Sequence, residues 1–512
     1  MPTTPERAST ADWIAVLAGA LGALMATLDI SITNSALPQI QGEIGATGTE
    51  GTWIGTGYLV SEVVAISLSA WLARVLGLRT LLLGCAILFT LFSGVCGLSH
   101  DLSTMIIGRV GQGFTGGALI PTAQTIIRTR LPASQFSLGM AIFGLIVLIG
   151  PLLGPLVGGW LTENVSWQWC IFVNLPVSVV LIALLLLGLP HQPGRPELFF
   201  DADWAGIVGL ATFLSGFTVV LEEGQRERWF DSELICWLTA ASLAGLVLLL
   251  AGQAVAKKPV IKLRLLLNAS YAGVIVIVVA VGACLYGILY VLPQFLSGIS
   301  GYNAEQSGRI LFISGVPAFL LMPLLPRLLR GGRIRLLTAC GLLCFAASCF
   351  VDIHLTPLSS GGDFVGSQLL RGLGMVLAMM PLNQASVGTV SREDVADAAG
   401  LYNMARNLGG SFGLAMLGVF IDRRTQLHYE DIRETLTANS PLGQDRIAGM
   451  AASFLQSSGD AAYARMQALR QLSNQIYQQA LVMTYSECFW VLGIAMLACL
   501  PLLLVLRAPR KV

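Results

Sequence analysis

Long apolar runs separated by short polar breaks fill this chain almost from one end to the other. At 1.5 Å of rise per residue, such runs are long enough to cross the hydrocarbon of a bilayer as helices. The pattern predicts fourteen spans. Six come first, at 13–35, 53–73, 80–98, 104–126, 136–161 and 169–189, and a middle pair follows at 204–222 and 233–254. The last six lie at 270–294, 307–327, 336–355, 365–388, 395–421 and 484–506. The stretch 422–483 is expected to be a long loop before the final span, beyond the length of a simple connection. Within it Met466, Leu469, Leu472 and Ile476 recur at helical spacing, predicting an amphipathic helix that either closes one face of the molecule or meets a partner.

Lysine and arginine give the orientation, because cytoplasmic loops carry the excess of both. With the N-terminus inside, Arg7, Arg74, Arg79, Arg128, Arg130, Arg195, Lys257, Lys258, Lys262 and Arg264 all fall on the cytoplasmic side. Arg327, Arg330, Arg333, Arg335, Arg392, Arg507, Arg510 and Lys511 join them, and the short outer loops hold none. Arg226, Arg228 and the arginines of 422–483 run against the rule. An even number of spans and two cytoplasmic termini are expected.

The two six-span blocks echo each other. Arg109-Val-Gly-Gln-Gly with Pro121 downstream in the fourth span is matched by Arg371-Gly-Leu-Gly with Pro381 in the twelfth. Repeated halves are how many transporters build two bundles around a midplane site. The expected division is therefore a six-helix bundle in 1–189, two inserted helices in 190–265, and a second bundle in 266–512.

Composition narrows the class. Apolar residues make up 55% of the chain and charged residues 12%, about half the charged share of a soluble domain. The fold class is an all-α polytopic membrane protein. A net charge of +1 leaves no nucleic-acid footprint. The ten cysteines lie in apolar runs without a Cys-x-x-Cys pair, and the four histidines are scattered, so neither metal nor cofactor is expected. No phosphate-cradling loop and no catalytic constellation stands out, and the expectation is not an enzyme.

Against that background each intramembrane ionisable group is a candidate by its cost alone. Asp29 leads, followed by Glu62 and Arg109; an arginine beside a carboxylate makes a switchable proton site or a static inter-helix salt bridge. Tyr58, Gln124, Asn383, Asn403 and Arg406 are candidate cavity residues, with Asn403, Arg406, Asn407 and Gly410 sharing one helix face. Arg371, Glu222 and Glu223 form a second tier, the two glutamates at a span end where interfacial solvation also explains them. Trp53, Trp167 and Trp237 read as an interfacial belt. In the fifth span Gly150, Gly154 and Gly158 line one face, Pro151 and Pro155 follow on the next, and Gly159 ends the run. Small residues at this spacing let a second helix backbone approach closely.

Together, Leu28 to Pro38 around Asp29, Arg109-x-x-Gln112-Gly113, Gly150 to Gly159 and Trp167-x-Trp169-x-x-x-x-Asn174-Leu-Pro176 resemble the fourteen-helix drug:proton antiporters of the major facilitator superfamily, nearest the EmrB branch. The resemblance implies two rocking bundles, Asp29 as proton-coupling acid, Arg109 as part of the proton-transfer motif, and Gly150–Gly159 as hinge and seal. It also implies export of hydrophobic or amphipathic compounds across the inner membrane, with a periplasmic adaptor and a TolC-like outer-membrane channel as partners. In the loop after the second span Ala73 stands where the superfamily usually has an acid, which puts the charge-relay latch in question. A dedicated exporter of one metabolite, such as a siderophore or fatty acid, and a non-transporting sensor or assembly subunit are the alternatives.

Overall fold

The computed structural model describes residues 7–256, 259–321, 324–329, 333–391, 393–435 and 441–505, and among them no strand occurs. Lys257, Lys258, Arg330, Arg392, Arg507, Arg510 and Lys511, used above for orientation, lie outside the described residues, as do Met322 and Pro323 of the tenth span. The first block holds α1 (Thr10–Glu43), α2 (Trp53–Leu76), α3 (Leu78–Gly97), α4 (Leu102–Arg130), α5 (Ala133–Asn164) and α6 (Gln168–Gly188). The middle pair is α7 (Trp204–Glu223) and α8 (Glu233–Val255). After it come α9 (Ala269–Gly298), a broken α10 (Ala304–Phe312, Gly315–Leu321 and Leu325–Leu329), α11 (Ile334–Val351), α12 (Val365–Gly388), α13 (Val395–Thr435), α14 (Pro441–Ser458) and α15 (Ala461–Ala498).

Twelve of these helices are long and apolar enough to cross a membrane. The fourth and tenth expected spans coincide with α4, whose interior carries Arg109, Gln112 and Gln124, and with α10, which breaks at Ile313 and Ser314. Side chains facing away from the protein fit a bilayer. On α8 Leu243, Val247 and Leu250 are all more than half exposed, an apolar belt too large to face water.

Two elements differ from the sequence expectation. The stretch 422–483 is not a loop: α13 continues through Thr435, α14 follows, and α15 runs unbroken from Ala461 into the final span. Its buried face is also different. Ala464, Ala468, Leu472 and Ile476, four residues apart, pack inward, whereas Met466 and Leu469 stand exposed at 60% and 47%. Small alanines allow the close helix contact with α14 that a methionine at the same place would prevent. Trp167 is likewise no belt residue, being 3% exposed with its indole N–H donating to Glu43.

Packing sets the site. The apolar core divides into a cluster drawn mainly from α1 to α6 and another drawn from α9 to α12 and α15, with the middle pair packed on α2 and α13. The glycine face of α5 lies directly on α1. A Cβ on Gly150 would come within 3.0 Å of the Leu28 nitrogen, and one on Gly158 within 3.0 Å of the Ile32 carbonyl oxygen. Pro155 cannot donate to the carbonyl of Pro151, and the Ser31 hydroxyl donates to that oxygen instead, at 3.2 Å. The neighbouring face meets the other bundle, with Gly308 of α10 against Pro155 and Gly159 against Glu305. Helix α5 is therefore clasped between α1 and α10.

Gly154→Ala would put a methyl group on the Ser31 hydroxyl and 2.8 Å from the Ser31 carbonyl carbon. It is expected to destabilise the protein by roughly 1–3 kcal/mol through overpacking. Gly84→Ala, with nothing within 4 Å, is the neutral comparison. Thermal unfolding in detergent checks both, and equal midpoints for the two variants would contradict the close α1–α5 contact.

Candidate functional site

At the heart of the first bundle Arg109 of α4 and Asp29 of α1 form an ion pair with both side chains at most 1% exposed. Gly113 and Gly117 bring α4 onto α2, where a Cβ would lie 2.9 Å from the Tyr58 carbonyl carbon and 3.0 Å from the Glu62 Cα. That approach seats the guanidinium 4.4 Å above the Tyr58 ring. Arg109 Nη1 donates to Asp29 Oδ2 and, at 3.0 Å, to Gln112 Oε1; its Nε donates to the Ile54 carbonyl at 3.3 Å. Asp29 Oδ1 accepts from Gln112 Nε2 at 3.1 Å and from Asn174 Nδ2 at 2.6 Å. Ser93 accepts from both amides, at 2.8 and 3.4 Å. Five helices thus converge on one carboxylate, which is what a charge in hydrocarbon requires.

A second polar centre lies between the bundles. Glu62 of α2 is 2% exposed and accepts from Asn407 of α13 at 3.4 Å, with the positive charges of Arg406 and Arg109 acting on it. Asn403, one turn earlier on α13, donates to Gln124 of α4 at 3.2 Å. Gln124 Nε2, Asn403 Oδ1 and Arg406 Nε have no hydrogen-bond partner among the described residues. Two donors and one acceptor left over at the seam suit a polar group that carries acceptors.

The structure keeps the other candidates apart. Tyr58 is fully buried with its hydroxyl on the Ala26 carbonyl, so it is a wall of the charged network and does not line an open cavity. Asn383 sits in α12, its carbonyl oxygen without a hydrogen-bond partner among the described residues. Arg371 pairs with Asp352 at 2.6 Å, away from Asp29. Glu223 is 2% exposed and accepts from Thr56 of α2 and from Thr52 just before it, while Glu222 faces Ser411 of α13. Interfacial solvation does not describe them; they fasten the middle pair to both bundles. Sequence reasoning gave no role to Gln112, Asn174 and Ser93, and placed Asn407 on the polar face of α13 without its partner Glu62. Gln112 one turn from Arg109 and Asn174 in the Trp-x-Trp motif carried a signal, whereas Ser93 and Asn407 needed the packing.

At the end of the molecule where basic residues gather, Asp397 of α13 is 1% exposed in its side chain and accepts from Arg74 of α2 at 2.9 Å. Lys262, beyond the middle pair, lies 3.4 Å from Asp397 and 2.5 Å from Asp394. A charged latch between bundles exists without an acid at position 73, because α13 supplies the acid. A double-mutant cycle on Arg74→Gln and Asp397→Asn is expected to give a coupling energy in the range of about 0.5–3 kcal/mol in thermal unfolding. Strict additivity would contradict the latch.

Residues 19–414 match the model of the Major Facilitator Superfamily. The Colistin resistance protein EmrB of Acinetobacter baumannii is 30% identical over 94% of this chain and 94% of its own. The Multidrug export protein EmrB of Escherichia coli is 28% identical, covering 93% and 92%. The Fatty acid resistance protein FarB of Neisseria gonorrhoeae is 26% identical over 99% and 98%. Among solved structures, the human organic anion transporter MFSD10 superposes with a TM-score of 0.59 at 15% identity, covering 95% of this chain and 99% of that one. The proton:xylose symporter XylE gives 0.58 at 14% identity, with 95% of each chain covered. The chain is a multi-pass membrane protein that belongs to the Major Facilitator Superfamily.

Proposed function

We propose that this protein exports hydrophobic or amphipathic compounds across the bacterial inner membrane in exchange for protons, by alternating access of the bundles 1–189 and 266–512. The Asp29–Arg109 pair carries the reading. A buried charge pair costs more than an apolar contact of the same volume, so its retention at the centre of a bundle points to a task beyond stability. Relatives named for multidrug export, colistin resistance and fatty acid resistance, each matched over most of this chain, support the substrate class.

The chemistry follows from the donors around the carboxylate. In the arrangement described, Asp29 accepts from three side chains and Arg109 needs it for its longest-range partner. A proton taken up by Asp29 Oδ2 replaces the bond from Arg109 Nη1. The guanidinium keeps its Nε bond to Ile54 and its seat over Tyr58 and swings its freed Nη1 toward Glu62, which stands one turn further along α2. Release of the proton draws it back. A lipophilic cation at the Glu62–Asn407 seam and a proton on Asp29 then favour opposite positions of the arginine, which is the competition exchange requires.

The basic end is cytoplasmic in this reading, and both termini with it. The helical projection formed by the end of α13, α14 and the start of α15 then faces the periplasm, where an adaptor and an outer-membrane channel would engage it. The match to the fatty acid resistance protein over nearly its whole length favours a fatty acid as a second substrate class, so both classes enter the test.

Purified protein in proteoliposomes is given tetraphenylphosphonium or oleate while internal pH is followed. Substrate-dependent proton movement is expected in the wild type and is lost in Asp29→Asn. Because that variant leaves Arg109 buried without its counter-ion, at a cost of roughly 3–5 kcal/mol, the double variant Asp29→Asn/Arg109→Gln is run beside it. Coupled flux retained by the well-folded double variant would contradict the role of the pair. A wild type that moves no proton with either compound would contradict the antiporter reading.

A further inference from the structure

The second bundle contains a buried charge pair of its own that the mechanism above does not use. Asp352 caps the C-terminus of α11, and Arg371 of α12 donates to its Oδ2 at 2.6 Å, with side chains only 3% and 5% exposed. Ser367 also faces the carboxylate. The guanidinium lies 5.7 Å from the Phe489 ring of α15, and Cys349 on α11 feels both charges. This pair is less completely bonded than the one at Asp29. Arg371 Nε and Nη1 have no hydrogen-bond partner among the described residues. Gln368, fully buried one turn earlier on α12, has no partner at either amide atom. Buried polar side chains are nearly always paired, and four unsatisfied atoms on Arg371 and Gln368 leave room for a change of bonding here.

A cavity of about 420 Å³ adjoins it, at the end of the molecule opposite the basic one. Its wall is the stretch that follows Asp352 directly, including His354 and Thr356, and across from it stand His428, Ser486 and Glu487. Glu487 accepts from Arg424 Nε at 2.6 Å and from Nη2, and His428 Nε2 lies 3.1 Å from Glu487 Oε1. Phe489, the ring 5.7 Å from the Arg371 guanidinium, lies on the same helix as Glu487. Proton-carrying side chains therefore line an open pocket whose wall begins at Ile353, the residue after the buried carboxyl.

We propose that Asp352 is a second proton-binding site, reached through the His354–His428–Glu487 cavity and switched by Arg371. This rests on the reading of the protein as a proton-coupled exporter. A proton on Asp352 Oδ2 frees Arg371 Nη2, and Gln368 Oε1, an acceptor with no other partner, stands on the same helix face to receive the guanidinium. The move couples α11 to α12 in the second bundle as the Asp29 switch couples α1 to α4 in the first. Each half then loads its own proton.

The test counts protons against tetraphenylphosphonium in proteoliposomes for wild type, Asp352→Asn and Asp352→Glu. Asp352→Asn is expected to keep transport but lose roughly half of the proton flux per cation, since two loading sites become one, and Asp352→Glu to restore it. The same ratio in all three proteins would overturn the proposal while leaving the exporter intact. If the wild type moves no proton at all, the exporter reading fails, and infrared pH titration in detergent still tests the site. A carboxyl band that titrates in the wild type and shifts in the glutamate variant supports proton binding at position 352. A spectrum unchanged between wild type and the glutamate variant overturns it, and this comparison also serves if the asparagine variant does not fold.

Discussion

A charge that enters hydrocarbon must bring its counter-ion with it, and the first bundle is built around that demand. Asp29 and Arg109 sit on α1 and α4, and neither helix alone can satisfy its own charge. The bond between them needs α1 close to α4, which Gly19 against Ala123 and Gly116 against Ala26 permit, while Gly113 and Gly117 bring α4 onto α2 and the Gly150, Gly154 and Gly158 face brings α5 onto α1. Gln112, Ser93 and Asn174 then saturate what remains. The glycine runs and the ion pair are one design: the first supplies the proximity that the second requires.

The contacts between bundles have a different character at each level. At the basic end they are ionic, with Arg74 and Lys262 meeting Asp397 and Asp394. Midway they are side-chain hydrogen bonds, incompletely satisfied, through Gln124, Asn403, Asn407 and Glu62. On the far side backbone meets backbone, with Gly308 on Pro155. Arg74, Lys262 and Asp394 keep part of their surface in contact with solvent, whereas the Asp397 carboxylate is covered, so opening this edge uncovers it. The middle pair is fastened to α2 by Glu223 and approached by α13 through Glu222, so it follows both halves and cannot belong wholly to either.

Much of this was legible in the sequence. Apolar run length located the spans, since nothing else in a chain looks like a bilayer-crossing helix, and burial cost singled out Asp29, Glu62 and Arg109. What failed to show has physical reasons. The stretch 422–483 reads as polar because a helix outside the bilayer needs no apolar run, and its alanine-lined face carries too little hydrophobicity to stand out from Met466 and Leu469. Asp352 and Asp397 lie at span ends, where a sequence offers solvation as a sufficient explanation; only the packed structure shows them covered. Glu222 and Glu223 misled for the same reason. Asn407 shared a face with Asn403, but its meeting with Glu62, far away in the chain, depends on how the bundles abut.

The central claim is that a proton on Asp29 and a bound substrate exclude each other. Calorimetric titration of the detergent-solubilised protein with tetraphenylphosphonium, in two buffers of different ionisation enthalpy, reads the protons released on binding without any membrane. The account predicts proton release by the wild type and its disappearance in Asp29→Asn/Arg109→Gln while binding persists. Equal proton release by the two proteins would contradict it.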